Sequence, residues 1–193
     1  MKKLLIPILM FIWVAGNAQG NYFKFDAGIG GAMTLSNFKA FGVSASTEPK
    51  WFFTETISAG LRIEGNVLFA GSIESTSEDF SVGLSSRTAY LVKGEYYFIP
   101  NKVRPFVGIG AGLYSVAAIT ASSTGDADVS ASVNTYGFAP EVGVTFKNFR
   151  ISALYHIVPG TDIYSSSSGV NTEISRNYLV IQLGFKIFEV GKK

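Results

Sequence analysis

The chain has 193 residues, 47% of them hydrophobic and 16% charged, with 16 basic against 14 acidic side chains and a mean hydropathy of +0.28. So apolar a composition excludes a disordered chain. The absence of cysteine excludes a disulfide scaffold, a thiolate metal site and a cysteine nucleophile, and 21 glycines argue against a coiled coil.

Met1-Lys2-Lys3 is a short basic start, followed by the apolar run Leu4–Val14 and then Ala15-Gly16-Asn17-Ala18. The run is too short to span a bilayer, which takes about 20 helical residues. Gly16 and Ala18 suit the small-residue positions before a signal-peptidase cut. Residues 1–18 therefore read as a cleaved export signal, and residues 19–193 as a single domain. Two basic residues leave with the signal, so the mature chain balances 14 against 14. No basic stripe for nucleic acid remains.

From there the chain alternates apolar and polar residues in segments of about ten, separated by turn-forming clusters. The predicted strands run over Tyr22–Leu35, Phe41–Phe53, Ile57–Phe69, Thr88–Phe98, Pro105–Ile119, Tyr136–Phe146, Phe149–Val158 and Asn177–Ile187. Tight connections at Thr54-Glu55-Thr56, Pro100–Arg104 and Lys147-Asn148 alternate with long ones at Gly71–Ser86, Thr120–Val133 and Pro159–Ser175, and a shorter one at Ser36–Ala40. Short turns at one end and long loops at the other are the up-and-down pattern of membrane barrels, which require an even strand count. The expected fold is all-β, an eight-stranded antiparallel up-and-down transmembrane β-barrel.

Side-chain volume decides which face is outside. Eight strands enclose a lumen just wide enough for side chains, and Trp51, Phe53, Phe69, Phe98, Phe138, Phe146 and Phe185 share the apolar face. They cannot all fit within, so that face points outward to lipid. The other face is rich in Gly, Ala and Ser. It also carries Lys24, Lys50, Arg62, Lys93, Arg150 and Lys186 against Asp26, Glu48, Glu64, Glu95 and Glu141. Matched signs in a crowded lumen predict a hydrogen-bonded ion-pair network that plugs the barrel. Aromatics at the strand ends predict two interfacial girdles. Trp51, Phe53, Phe98, Phe146 and Phe149 would form the one near the tight turns, and Phe41, Phe69, Tyr90, Tyr136 and Tyr155 the one near the long loops.

With these features in place, the mature chain resembles the small outer-membrane β-barrel domain family typified by the OmpA transmembrane domain, OmpX and OmpW. The resemblance rests on the opening strand Lys24-Phe25-Asp26-Ala27-Gly28-Ile29-Gly30-Gly31, on "WFFTETISAGLRIE" at Trp51–Glu64, on "VRPFVGIGAGLY" at Val103–Tyr114, and on the closing strand Tyr178–Phe188. It implies residence in the bacterial cell outer membrane, contact with outer-membrane lipid and lipopolysaccharide, and insertion by the barrel-assembly machinery. The closing strand resembles that machinery's terminal signal but continues through Glu189–Lys193. No peptidoglycan-binding domain is expected after it.

The chemistry available is sparse. The single histidine, His156, has inward parity near the long-loop end. Ser152 lies four residues away, about 13 Å along a strand at roughly 3.3 Å per residue, too far to be a nucleophile for it. The loop acids Glu78, Asp79, Asp126 and Asp128 read as solvated charge rather than a cation site. The glycine runs Gly28–Gly31 and Gly108–Gly112 precede no helix, so they are not phosphate loops. No cofactor, metal or catalytic residue is expected. The main functional reading is a non-enzymatic scaffold that meets extracellular ligands through its loops. The alternatives are a porin-like conduit for small apolar solutes, with Leu68, Leu91, Val116 and Leu154 lining it as in OmpW, and a lipid A-modifying enzyme.

Overall fold

The computed structural model describes residues 22–35, 40–71, 82–99, 102–121, 127–129, 133–165 and 171–191. Residues 1–18, expected to be an export signal, and the acids Glu78, Asp79 and Asp126 lie outside the described residues. The elements are β1 (Tyr22–Thr34), β2 (Phe41–Phe52), β3 (Ile57–Gly71), β4 (Val82–Tyr97), β5 (Val103–Ala121), β6 (Ala127–Val129), β7 (Val133–Phe146), β8 (Phe149–His156), β9 (Thr161–Ser165), β10 (Asn171–Ser175) and β11 (Tyr178–Val190).

Eight of these strands close into one antiparallel barrel. Its order is β4-β3-β2-β1-β11-β8-β7-β5, and β4 pairs with β5 to complete the ring. Closure leaves the barrel wall without an unpaired edge. The stagger can be read from one circuit of paired residues. Tyr22 faces Phe52, then Ser58, Glu95, Gly108, Glu141, Leu154 and Val180 in turn, and the circuit returns to β1 at Ala32. From Tyr22 to Ala32 is a shear of ten residues. At about 3.3 Å per residue and 4.8 Å between strands, that stagger tilts the eight strands by about 40°.

The turn-end connections are tight for a local reason. Thr54 Oγ1 accepts from the backbone N–H groups of Thr56 at 3.2 Å and Ile57 at 2.9 Å, and Phe53 N–H donates to the Ile57 carbonyl at 3.0 Å. In the Lys147-Asn148 turn, Lys147 takes the left-handed conformation with φ of 47°.

The loop end is more structured than alternation suggests. β4 begins at Val82 rather than Thr88, so part of the expected Gly71–Ser86 loop is strand, and β5 runs on to Ala121. These ends are held by continuous ladders, Gly83 opposite both Ala70 and Thr120, and need no alternating side chains. Within the expected loops, β6 pairs with β5, and β9 with β10 form a separate hairpin. The Ser165–Ser168 tip falls largely outside the described residues.

Adjacent residues show the two faces directly. Val92 is 65% exposed while its neighbour Lys93 is 2% exposed, and the same contrast separates Ile63 from Arg62 and Glu64. Large apolar side chains lie exposed around the outside of every barrel strand, among them Ile29, Val43, Leu61, Val107, Phe138, Ile151 and Ile181.

Candidate functional site

The lumen is built in layers, because inward positions recur every second residue on each tilted strand. At the turn end four aromatic rings form the floor: Tyr22 stacks on Phe52 at 4.4 Å, Phe52 meets Tyr97 at 5.4 Å, and Tyr97 meets Phe106 at 5.3 Å. Above it lies the charged layer. Beyond that, toward the loops, Leu68, Leu91, Leu154 and Val180 pack with Ala32, Ala89, Ala139, Tyr114 and Tyr178 as an apolar layer.

The charged layer draws five cations and five anions from six strands. Lys50 Nζ lies 3.2 Å from Asp26, 2.6 Å from Glu48 and 3.0 Å from Glu95. Lys93 Nζ reaches Glu48 at 3.0 Å and Glu95 at 2.9 Å, and also contacts Glu141. Arg150 donates to Glu95 at 2.6 Å and Glu141 at 2.7 Å while its guanidinium lies 4.0 Å over the Phe106 ring. Arg62 grips Glu64 through Nε at 2.8 Å and Nη2 at 2.6 Å, reaches Glu48 at 3.1 Å, and donates to Gln182. Lys24 lies 3.1 Å from Asp26. All ten side chains are buried, and such charges survive only with signs matched and donors paired. β5 contributes no charge but provides room. A Cβ at Gly108 would lie 3.3 Å from Glu95 Cγ, and one at Gly110 would lie 3.0 Å from Lys93 Cγ.

Ten of the eleven charged residues expected in the lumen thus come together, and Lys186 does not. It lies toward the turn-end mouth, a quarter exposed, and pairs with Glu189 at 2.8 Å. The cause is a β-bulge. Phe25 faces Phe188 but the next residue, Asp26, faces Lys186, so one residue of β11 is left over. Past that point Ile187 and Phe188 are both exposed and the alternation is broken.

His156 is completely buried and held on several sides. Its Nδ1 shares a 3.0 Å hydrogen bond with the Tyr114 hydroxyl, its Nε2 lies 3.2 Å from Glu64 Oε1, and its ring stacks on Tyr178 at 4.2 Å. Asn66 closes this cluster, donating to Glu64 at 2.9 Å and the Tyr178 hydroxyl at 3.3 Å. Ser152 is not among its partners. Leu68, Leu91, Leu154 and Val116 do point inward, but all four are buried, the three leucines within the apolar layer.

On the outside, Trp51, Phe98, Phe146 and Phe149 are exposed near the tight turns, and Phe53 is half-buried. Trp51 lies 6.2 Å from Phe23, and Phe149 meets Phe185 edge-on at 5.4 Å. Toward the loops Phe41, Phe69, Tyr90 and Tyr136 are exposed and Tyr155 is half-buried. Phe41 pairs with Phe69, and Tyr90 stands in one row with Leu113 and Tyr136.

The aromatic floor is the part that sequence reasoning missed. Phe52, Tyr97 and Phe106 occupy the parity of the charged and small residues, and assigning bulk to the outside hid them. Parity alone would have found them, since Phe52 follows Glu48 and Lys50, Tyr97 follows Lys93 and Glu95, and Phe106 precedes Gly108 and Gly110.

No protein-family model matches the chain, and no curated protein sequence does. Among solved structures it is similar to the attachment invasion locus protein Ail of Yersinia pestis, crystallised in complex with the heparin analogue sucrose octasulfate. The identity is 14%, over 87% of this chain and 99% of that one, with a TM-score of 0.49. Neisserial surface protein A matches at 17% identity over 88% of this chain and 97% of its own, with a TM-score of 0.47. The N-terminal β-barrel domain of Pseudomonas aeruginosa OprF matches at 15% identity over 89% and 99%, with a TM-score of 0.40.

Proposed function

We propose that the chain is an integral protein of the bacterial outer membrane, a closed and non-enzymatic scaffold whose loop end is its recognition surface. The observation that carries this reading is the pairing of a filled lumen with a greasy exterior. Residues such as Val92 and Ile109, 65% and 60% exposed, are tolerable around a whole barrel only where hydrocarbon replaces water. The ionic layer, the aromatic floor and the leucine layer occupy the space a solute would need. His156, engaged by Tyr114, Glu64 and Tyr178, acts as a packing element rather than a base. In this role the barrel contacts lipid and lipopolysaccharide with its outer face, is inserted by the barrel-assembly machinery, and presents its loops to extracellular ligands.

Planar-bilayer recording tests the closed lumen. Purified wild-type protein gives no current steps above the lipid background. The triple variant Lys93→Ala/Glu141→Ala/Arg150→Ala, which empties the middle of the charged layer, gives measurable steps. Regular wild-type steps would refute the scaffold reading in favour of a conduit.

A further inference from the structure

The charged layer is tied together more completely on one side of the lumen than on the other. Arg150 engages Glu95 and Glu141 through Nη2. Its Nε and Nη1 have no hydrogen-bond partner among the described residues, and Nη1 comes no nearer than 3.7 Å to Glu48. Asp26 meets the ammonium groups of Lys24 and Lys50 through Oδ2, at 3.1 and 3.2 Å, while its Oδ1 has no hydrogen-bond partner among the same residues. Asp26 is 4% exposed and Arg150 5%. Polar atoms buried to this degree are normally satisfied.

Asp26 and Arg150 line one small cavity of about 10 Å³, together with Glu48, Arg62, Ser152 and Gln182. The strand register explains its position. Ser46 on β2 faces Gly28 on β1, Gly28 faces Gly184 on β11, and Gly184 faces Arg150 on β8. The two middle positions of this inward row carry no side chain. Gln182 fills the Gly28 half, where it donates to Ser46 and accepts from Arg62, and a Cβ on Gly28 would strike its amide. The Gly184 half is roomier. A Cβ there would meet Arg150 Cβ at 3.3 Å and nothing closer.

We infer that this cavity is the binding site of one water molecule, which donates to Asp26 Oδ1 and accepts from Arg150. A site for one water needs about 10–15 Å³, so the space admits a water or a single-atom ion and no larger solute. A carboxylate accepts and a guanidinium donates, so an occupant that serves both must itself donate and accept. Water does this. A cation would face Arg150 and Arg62, and an anion would face Asp26 and Glu48. The five cations and five anions of the layer already balance, which leaves an ion no net charge to neutralise. Ser152, on the same wall, offers a hydroxyl as the third partner that buried waters commonly have. The water thereby joins β1 to β8 across β11, as Arg150 and Glu141 join β8 to β7 directly.

The test is a crystal structure of the whole barrel at a resolution that shows ordered solvent. A second crystal is grown from protein folded in rubidium bromide in place of sodium chloride. The expected result is one density peak within hydrogen-bond distance of Asp26 Oδ1 and of Arg150 Nε or Nη1, with no anomalous signal from rubidium or bromine. Gly184→Ser serves as the comparison, since its hydroxyl reaches the same gap and should replace the peak. An anomalous signal at the site would overturn the inference in favour of an ion. A dry cavity, direct contact between Asp26 and Arg150, or a peak that stays unmoved in Gly184→Ser would overturn it as well. Should the variant not fold, the two wild-type crystals still decide. The bilayer recordings read the whole lumen and are independent of this result.

Discussion

Arg150 Nη2 lies 2.7 Å from Glu141 Oε1 and 2.6 Å from Glu95 Oε1, joining β8 to β7 and β4 across the middle of the lumen. These charges are fully surrounded by others, so their removal cannot be compensated by water. Arg150→Met leaves two buried carboxylates short of a partner and destabilises the barrel by about 3–5 kcal/mol. Glu141→Gln alone has a smaller effect, because the amide still accepts from Arg150. Urea unfolding in detergent, followed by the shift between folded and unfolded electrophoretic bands, checks both. Equal effects would mean that charge balance does not govern this layer.

The outer face makes a separate demand. Ile63→Lys or Leu183→Lys places an ammonium on the apolar band at a cost of about 2–4 kcal/mol near the bilayer midplane. Glu55→Lys, in the exposed turn between β2 and β3, costs little. Yields of folded barrel in lipid vesicles should therefore fall for the first two and hold for the third. Equal yields would contradict the assignment of faces.

Two glycines separate crowding from conformation. A Cβ on Gly112 would meet the Tyr90 carbonyl oxygen at 1.9 Å, whereas one on Gly94 meets nothing within 4 Å. Backbone cannot give way as a side-chain tip can. Gly112→Ala is expected to lower the unfolding midpoint by several degrees, and Gly94→Ala to leave it unchanged or raise it. The prediction is checked by thermal unfolding in detergent.

Most of the barrel was legible because strand alternation has a period of two, and one face here is both bulkier and more apolar than the other. That contrast locates β1, β2, β3, β7 and β8 to within a few residues and brings ten charged side chains to one layer. It fails where the physics is not alternation. The early start of β4 is set by ladder pairing with β3 and β5. The exclusion of Lys186 is set by a bulge opposite Phe25 and Asp26, which shifts the parity of β11 without leaving a compositional mark. The floor of Tyr22, Phe52, Tyr97 and Phe106 escapes such a reading because bulky side chains point inward there as well as outward.

Trp51 gives the most direct measurement of the central claim, that the apolar face meets lipid. The sequence holds one other tryptophan, Trp13, and the Trp51 indole is 45% exposed on the outer wall. A chain begun at residue 19 is folded into vesicles whose acyl chains are brominated near the headgroup end, and its fluorescence is compared with that in unbrominated vesicles. Contact with lipid predicts blue-shifted emission that bromine quenches strongly. Water-like emission untouched by bromine, from a folded protein that stays in the supernatant, would contradict it.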